Sequence, residues 1–355
     1  MKMPAASTGL AGPGAMMRMH LYALDALRHY YTDAKRFVLH SVLNEGKRAA
    51  DLARDCGARL VPAPEFWGSG LDAVIIASPN EMHFEHLSLA IKASIPRIYV
   101  EKPVCCGERE WHGLCELAAE AGSKKLSIQI GFQFLQSAAF QKGWSILHEG
   151  GIGDPVSFSG EYLHQSYLNS AWRKERTWRL RERPVGGAMV DLGSHVLSGL
   201  VSLLGPDLTA VHAAGSHLFE DIPAKCDMDS VAILRDGRSG AFGTLRASRV
   251  SAGSGDLLRF QVFGTQGSLC ISTEHPDEVR CADASGNRSV IPTARGYPGS
   301  TFPPGHVPSG WLRSLVHAHA RFWGISEDDG PLPDLDHALH VQRILNDLIS
   351  QIQPP

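Results

Sequence analysis

The feature that most restricts the fold is a run of seven residues, Leu71-Asp72-Ala73-Val74-Ile75-Ile76-Ala77, apolar at every position but one. A strand with one wet face alternates polar and apolar residues, whereas a strand covered on both faces does not. A run of this kind belongs in the middle of a parallel sheet, and its neighbours fit such a sheet. Residues 5–11 and 36–43 read as strands before it, and residues 97–101 and 126–131 as strands after it. Helical patterns at about 15–30, 47–56, 82–93 and 108–121 fall between the strands, and Gly57 closes the second of them. Strand–helix alternation of this length predicts a doubly wound α/β sheet with helices on both faces.

The second half has a different rhythm. Residues 155–165 read as a strand, and further strands are expected near 208–216, 228–235, 239–250, 257–264 and 268–272. The turns Asp236-Gly237 and Thr265-Gln266-Gly267 punctuate them. Leu258, Phe260 and Val262 alternate with Arg259 and Gln261, the mark of a half-buried antiparallel strand. Helical patterns at about 310–323 and 335–352 follow. A chain of 355 residues exceeds what one hydrophobic core organises. Two domains are therefore expected: residues 1–130 with the parallel sheet, and residues 131–355 as an α+β domain with a large open, mostly antiparallel sheet.

Composition excludes several classes of partner. A net charge of −3 gives no electrostatic case for nucleic acid or an anionic membrane. The sequence has no apolar run long enough to span a bilayer, and Gly9, Gly12, Pro13 and Gly14 interrupt what could otherwise resemble a signal peptide. Seven cysteines, an odd number without any Cys-x-x-Cys pair, argue against a structural zinc site. They lead us to expect reduced thiols, a cytoplasmic setting and no bound metal.

Ligands of doubly wound sheets bind where strands end and helices begin. At the first such junction stands Gly9-Leu10-Ala11-Gly12-Pro13-Gly14-Ala15-Met16-Met17. Gly12 and Gly14 supply a tight turn and bare backbone, and Ala15 and Met16 open the helix, as a pyrophosphate site requires. Met17 stands where a third glycine is usual, and a glycine-rich turn can also be only a turn. At the end of the second strand, where an acid would bind the adenosine ribose of NAD, the chain has Leu43 and Asn44, with Glu45, Lys47 and Arg48 just after. A missing acid beside cations leans the cofactor towards NADP, with NAD left open; solvated helix cations would look the same. Ser78-Pro79-Asn80 ends the central strand, where Asn80 could simply cap the next helix.

Two segments carry candidate chemistry. Glu101-Lys102-Pro103 ends the next strand on the same edge as the glycine turn, so Lys102 can place a positive charge near a reacting oxygen. Gly186-Gly187-Ala188-Met189-Val190-Asp191-Leu192-Gly193-Ser194-His195 opens an apolar helix that Gly205-Pro206 stops. With a helix start near Gly187, Asp191 and His195 share a face, and a carboxylate beside an imidazole makes a credible proton acceptor. A capping aspartate and a core histidine is the plainer alternative for this segment alone. Upstream, Trp172, Arg173, Trp178 and Arg179 offer aromatic faces and guanidinium donors suited to a hydroxyl-rich ring. His306 follows Pro303-Pro304-Gly305 in an irregular stretch from which it could reach a site.

Taken together, the Gly12 turn, Ser78-Pro79-Asn80-x-x-His83, Glu101-Lys102-Pro103 and Gly186-Gly187-x-x-x-Asp191-x-Gly193-x-His195 resemble the glucose–fructose oxidoreductase, inositol dehydrogenase and MocA family (Gfo/Idh/MocA) of NAD(P)-dependent oxidoreductases. The resemblance implies an N-terminal Rossmann domain, catalytic Lys102, Asp191 and His195, and a cis bond before Pro103. It also implies that Ser78, Asn80, His83, Glu101 and Gln133 face the cofactor, the last within Gly131-Phe132-Gln133 where the family often has asparagine. The expected reaction is hydride transfer between nicotinamide and a secondary alcohol or ketone of a sugar, inositol or related polyol. Trp178, Arg179 and His306 are the candidate substrate contacts. Family members pair through the open sheet face, so a homodimer or homotetramer is expected. Alternatives are a glycosidase that oxidises its sugar transiently with held NAD, and a cofactor-sensing regulator without catalysis.

Overall fold

The computed structural model describes residues 5–31, 37–177, 180–223, 225–293 and 310–352. These form two compact units. The first unit opens with β1 (Ala6–Ala11), α1 (Ala15–Tyr30), β2 (Phe37–Leu43) and α2 (Lys47–Cys56). Next come β3 (Arg59–Val61), α3 (Ala63–Gly68), β4 (Ala73–Ile76) and α4 (Asn80–Lys92), then β5 (Arg97–Val100), α5 (Gly107–Ser123) and β6 (Ser127–Ile130). The six strands are all parallel, in the order β3-β2-β1-β4-β5-β6. This is the Rossmann order, and its switch point lies between β1 and β4. β4 is buried at every residue, as its unbroken apolar sequence requires. The short β3 and α3 went unread, because three residues and a Pro62-x-Pro64 start show no period.

The second unit begins after Gln133 with α6 (Ala138–His148), β7 (Pro155–His164) and α7 (Ser170–Glu175). A turn of wider, π-type winding at Met189–Gly193 leads into α8 (Ser194–Leu204). Seven strands follow: β8 (Leu208–Ser216), β9 (Asp229–Asp236), β10 (Phe242–Ser248), β11 (Asp256–Gly264), β12 (Gly267–Ser272), β13 (Glu278–Asp283) and β14 (Arg288–Pro292). With β7 they make an eight-stranded sheet, β14-β13-β12-β11-β7-β10-β9-β8, antiparallel except between β7 and β10. One face of the sheet packs under α8. A side chain at Gly160 would strike Val196, and one at Gly199 would strike Phe260. On the other face Val231, Ile233, Phe242 and Phe263 lie exposed.

The chain closes with α9 (Gly310–Phe322) and α10 (Leu335–Gln351). α10 packs on the second unit, where Arg343 donates to the carbonyls of Pro206 and Leu208. From Trp311 to Asp336, however, the chain belongs to the first unit. Leu315, Val316, Phe322 and Trp323 of that segment join Leu10, Leu24 and the rest of the Rossmann core, and Trp323 stacks on Phe37. The division at residue 130 expected from the sequence gave this segment to the second domain, because order along the chain does not show a helix crossing back. All seven cysteines are free thiols, and no described helix is long and apolar enough to cross a membrane.

His319, fully buried in the first unit, has its pKa pulled well below the usual histidine value by burial. The unfolded chain therefore takes up protons below about pH 6.5 that the folded chain refuses, and stability falls as the pH drops through that value. This histidine removes up to about 1.4 kcal/mol per pH unit. Urea unfolding at pH 7 and pH 5.5 checks this, with the lower midpoint expected at pH 5.5.

Candidate active site

The residues singled out above fall in both units and are described unit by unit. In the first, Gly12 turns the chain at φ +95, and a Cβ there would lie 2.2 Å from the backbone nitrogen of Ser78. Packing against the end of β4 thus demands this glycine. Gly14 is different. Its φ is −81, and a Cβ would meet nothing nearer than the Ala77 carbonyl at 3.9 Å. Nothing in the packing asks for glycine there. What Gly14 leaves is open space over the first turn of α1, which has no acidic residue. A helix N-terminus with bare amides and room beside it fits a pyrophosphate. Met17 does not spoil the fit, because its side chain is fully buried beneath the helix.

These two glycines make separable predictions. Gly12→Ala must move backbone and adopt a left-handed φ, at a cost of about 1–3 kcal/mol or more, seen as a lower melting temperature. Gly14→Ala should melt like the wild type yet bind dinucleotide more weakly, measured by calorimetric titration.

Around this turn the strand ends supply polar groups. Asn44 bonds back to the Gly46 amide within its own loop. The carboxylate of Glu45 accepts a hydrogen bond from the Gly12 backbone amide, with burial pushing its pKa up and that bond pulling it down. An acid therefore does stand beside the glycine turn, one residue beyond the Leu43-Asn44 position inspected in the sequence. Lys47 and Arg48 are exposed. Ser78 Oγ lies 3.0 Å from His86 Nδ1, and the His83 ring spans the carbonyl oxygens of Ser78 and Pro103, 2.7 Å from each. Asn80 is the first residue of α4 rather than its cap, which Pro79 occupies. The Lys102–Pro103 bond is cis, as the family resemblance implied. Glu101 is buried, and its carboxylate is bonded to His20 of α1 at 3.1 Å. Gln133 is buried with its amide oxygen unpartnered, an acceptor whose desolvation costs about 1–3 kcal/mol until a donor meets it. An orphaned amide oxygen of this kind suits a carboxamide or hydroxyl donor of a bound cofactor.

In the second unit Asp191 and His195 do share one helical turn, with a change from expectation. Gly187 is not helical, at φ +103, and the winding through Met189–Gly193 is π-type. Such wider turns recur at functional sites. Asp227 holds this start in place. Its buried carboxylate accepts from the Met189 amide at 2.7 Å and from Ser230 Oγ at 2.6 Å, and its carbonyl accepts from the Ala188 amide. Asp191 Oδ2 in turn accepts a charge-assisted bond from Arg249 Nη2 at 2.8 Å. Arg249 is fully buried, stays protonated, and lies over the Tyr167 ring. His195 is buried between the edges of Phe134 and Tyr162, with ring centroids 5.3 and 5.7 Å away.

Asp227 and Arg249 are the residues that reading the sequence missed. Arg249 sits in Ser248-Arg249-Val250 at the end of β10, where a charge looks like an ordinary strand-edge residue. Arg173, offered above for substrate, is buried and committed to Asp221 and the carbonyls of Tyr167 and Leu168. Trp172 is exposed under Arg176. Trp178, Arg179 and His306 lie outside the described residues. No cluster of metal-ligating side chains occurs among the described residues.

A parallel Rossmann unit with a bare glycine turn at its switch point, and a sheet unit carrying an acid and an imidazole on one turn, define a two-domain oxidoreductase architecture. The family models agree. The model for the oxidoreductase family with NAD-binding Rossmann fold matches residues 7–130, and the GFO/IDH/MocA C-terminal domain matches residues 140–270. The chain belongs to the GFO/IDH/MocA family of NAD-binding oxidoreductases. It is similar to levoglucosan dehydrogenase of Pseudarthrobacter phenanthrenivorans, 25% identical over 374 residues and covering 95% of this chain and 94% of that one. It is also similar to scyllo-inositol 2-dehydrogenase (NAD(+)) of Bacillus subtilis, 28% identical over 250 residues, 69% of each chain. A levoglucosan dehydrogenase structure in complex with NADH and levoglucosan shares the fold, with a TM-score of 0.85 at 22% identity over 98% of this chain and 97% of that one.

Proposed function

We propose that the protein is a dehydrogenase for a secondary alcohol of a sugar, inositol or related polyol, that NAD is its cofactor, and that Lys102, Asp191 and His195 act on the substrate. The nicotinamide, when bound, supplies the hydride acceptor or donor. The chain's residues supply everything else. As the carbinol carbon loses its hydrogen with the bonding pair, His195 takes the hydroxyl proton, and in reduction it returns it. Asp191, anchored through one oxygen by Arg249, keeps acceptor capacity for a substrate hydroxyl. The Lys102 ammonium stabilises negative charge on the reacting oxygen. Phe134 and Tyr162 keep water from the imidazole.

The observation that carries this proposal is the Asp191–Arg249 pair one turn from an aromatic-flanked His195. An acid kept only to cap a helix would not need a buried guanidinium, and here Asp227 already does the capping. The names of the curated relatives support the substrate class, since levoglucosan and scyllo-inositol are both cyclic polyhydroxy compounds. Glu45 supports NAD over NADP: its carboxylate at the Gly12 amide can accept from a ribose hydroxyl but would repel a 2′-phosphate.

The test is a panel of inositols, hexoses and anhydrosugars with each cofactor, followed by absorbance of the reduced nicotinamide. NAD-dependent turnover of a member is expected; no turnover in either direction with either cofactor would overturn the proposal. We further propose a homodimer or homotetramer through the sheet face bearing Val231, Ile233, Phe242 and Phe263. Sedimentation should return a multiple of the monomer mass, and Ile233→Lys should lower it.

A further inference from the structure

On α1 the buried stripe runs Met17, His20, Leu24, Leu27, so a histidine occupies a position where the helical period asks for a hydrophobe. It is fully buried and makes two ring contacts: Nε2 to Glu101 Oε1 at 3.1 Å, and Nδ1 to His319 Nε2 of α9 at 2.8 Å. Tyr99, the residue two before Glu101, stacks flat on His319 at 5.1 Å and meets His20 edge-on at 5.0 Å. A glycine roofs the carboxylate: a Cβ at Gly131 would lie 2.5 Å from it. His319 Nδ1, at the far end of the chain of contacts, is buried with no partner.

That bare end fixes the direction of every hydrogen bond. An ionised Glu101 only accepts, so His20 Nε2 donates to it. A neutral His20 then has a lone pair at Nδ1, which must accept from His319 Nε2–H. The last nitrogen, His319 Nδ1, is left as a bare acceptor. Either alternative, a Glu101 that donates from Oε1 or a doubly protonated His20, reverses the second bond and forces a proton onto His319 Nδ1. That would bury an orphaned N–H, a rarer and costlier defect than an unfilled lone pair. Burial also holds His319 neutral.

We infer that His20 is a positioning residue for Lys102: with His319 behind it, it anchors the Glu101 carboxylate and so ties the end of β5 to α1, the helix that opens at the glycine turn. The role rests on the function proposed above for Lys102; the hydrogen-bond polarity does not. Neither histidine touches a reacting atom. What they set is where the backbone of the Glu101-Lys102-Pro103 segment lies relative to the cofactor cradle.

Two measurements test this on the full chain. The first is histidine 15N NMR near neutral pH, which needs no substrate. Both rings should be neutral with the proton on Nε2 and a bare Nδ1; an imidazolium or an Nδ1–H tautomer at either residue would overturn the assignment. The second compares His20→Leu with His20→Gln, whose amide N–H can still reach Glu101. His20→Leu should lower kcat on the order of 10-fold to 100-fold with KM for the dinucleotide little changed, and His20→Gln should recover most of it. A folded His20→Leu protein with wild-type kcat would refute the positioning role while leaving the dehydrogenase proposal intact. A wild-type protein without turnover would refute the dehydrogenase proposal and the positioning role that rests on it, and the NMR result would still decide the polarity.

Discussion

His195→Ala should cut kcat by on the order of 10²-fold to 10⁴-fold, with dinucleotide affinity close to wild type. The ring is flanked by Phe134 and Tyr162 and is almost out of solvent, so no water stands ready to replace it as proton acceptor. The proposed dinucleotide cradle, Gly12, Gly14 and Glu45, belongs to the other unit, which is why binding and turnover should separate. Removing a ring from between two aromatics also leaves a cavity, so His195→Gln is the companion variant: it fills most of the space but cannot take a proton. Both should fail equally in kcat. Retention of turnover by either, on a substrate the wild type oxidises, would show that another group moves the proton.

Arg249→Met should be the most destabilising single change in the second unit that leaves the hydrophobic core intact. Methionine fills much of the guanidinium's volume, but Asp191 then keeps a charge in a largely buried place without the guanidinium that met it. Breaking such a pair from one side costs about 3–5 kcal/mol, and the partial exposure of Asp191 puts the expectation near the lower end of that range. Adding Asp191→Asn should return most of the stability, because an amide needs no counter-charge. Activity should not return with it. Equilibrium urea unfolding of the two single variants and the double variant gives the coupling directly; additive losses would mean that the pair contributes nothing beyond its separate parts.

The Rossmann unit was legible in the sequence because its signals are local. An unbroken apolar run, glycine at a tight turn and regular helix spacing are set by a few neighbouring residues, and β4, α1 and α5 fall close to where periodicity puts them. The same holds for Lys102, Asp191 and His195, which stand in compact motifs. What stayed hidden depends on partners distant in sequence. Arg249 and Asp191 are 58 residues apart, and His20 and His319 are 299 apart. A buried charge or imidazole cannot be told from an exposed one until its partner is in view. The π-type turn at Met189–Gly193 was missed for a related reason: residues four apart share a face in either winding, so the spacing of Asp191 and His195 is silent on the difference. β13 and β14, short and at the sheet edge, carry too few apolar residues to mark themselves.

At the centre of this account is a division of labour in which a hydride leaves the carbinol carbon while His195 takes the proton and Lys102 steadies the oxygen. Deuterium placed on the carbinol carbon of a polyol that the protein oxidises tests it most directly. The label should appear on the nicotinamide in a single turnover with the wild-type protein, and both His195→Gln and Lys102→Met, folded and dinucleotide-bound, should transfer it at least about 100-fold more slowly. Deuterium released to solvent, or transfer at the wild-type rate by either variant, would contradict the account.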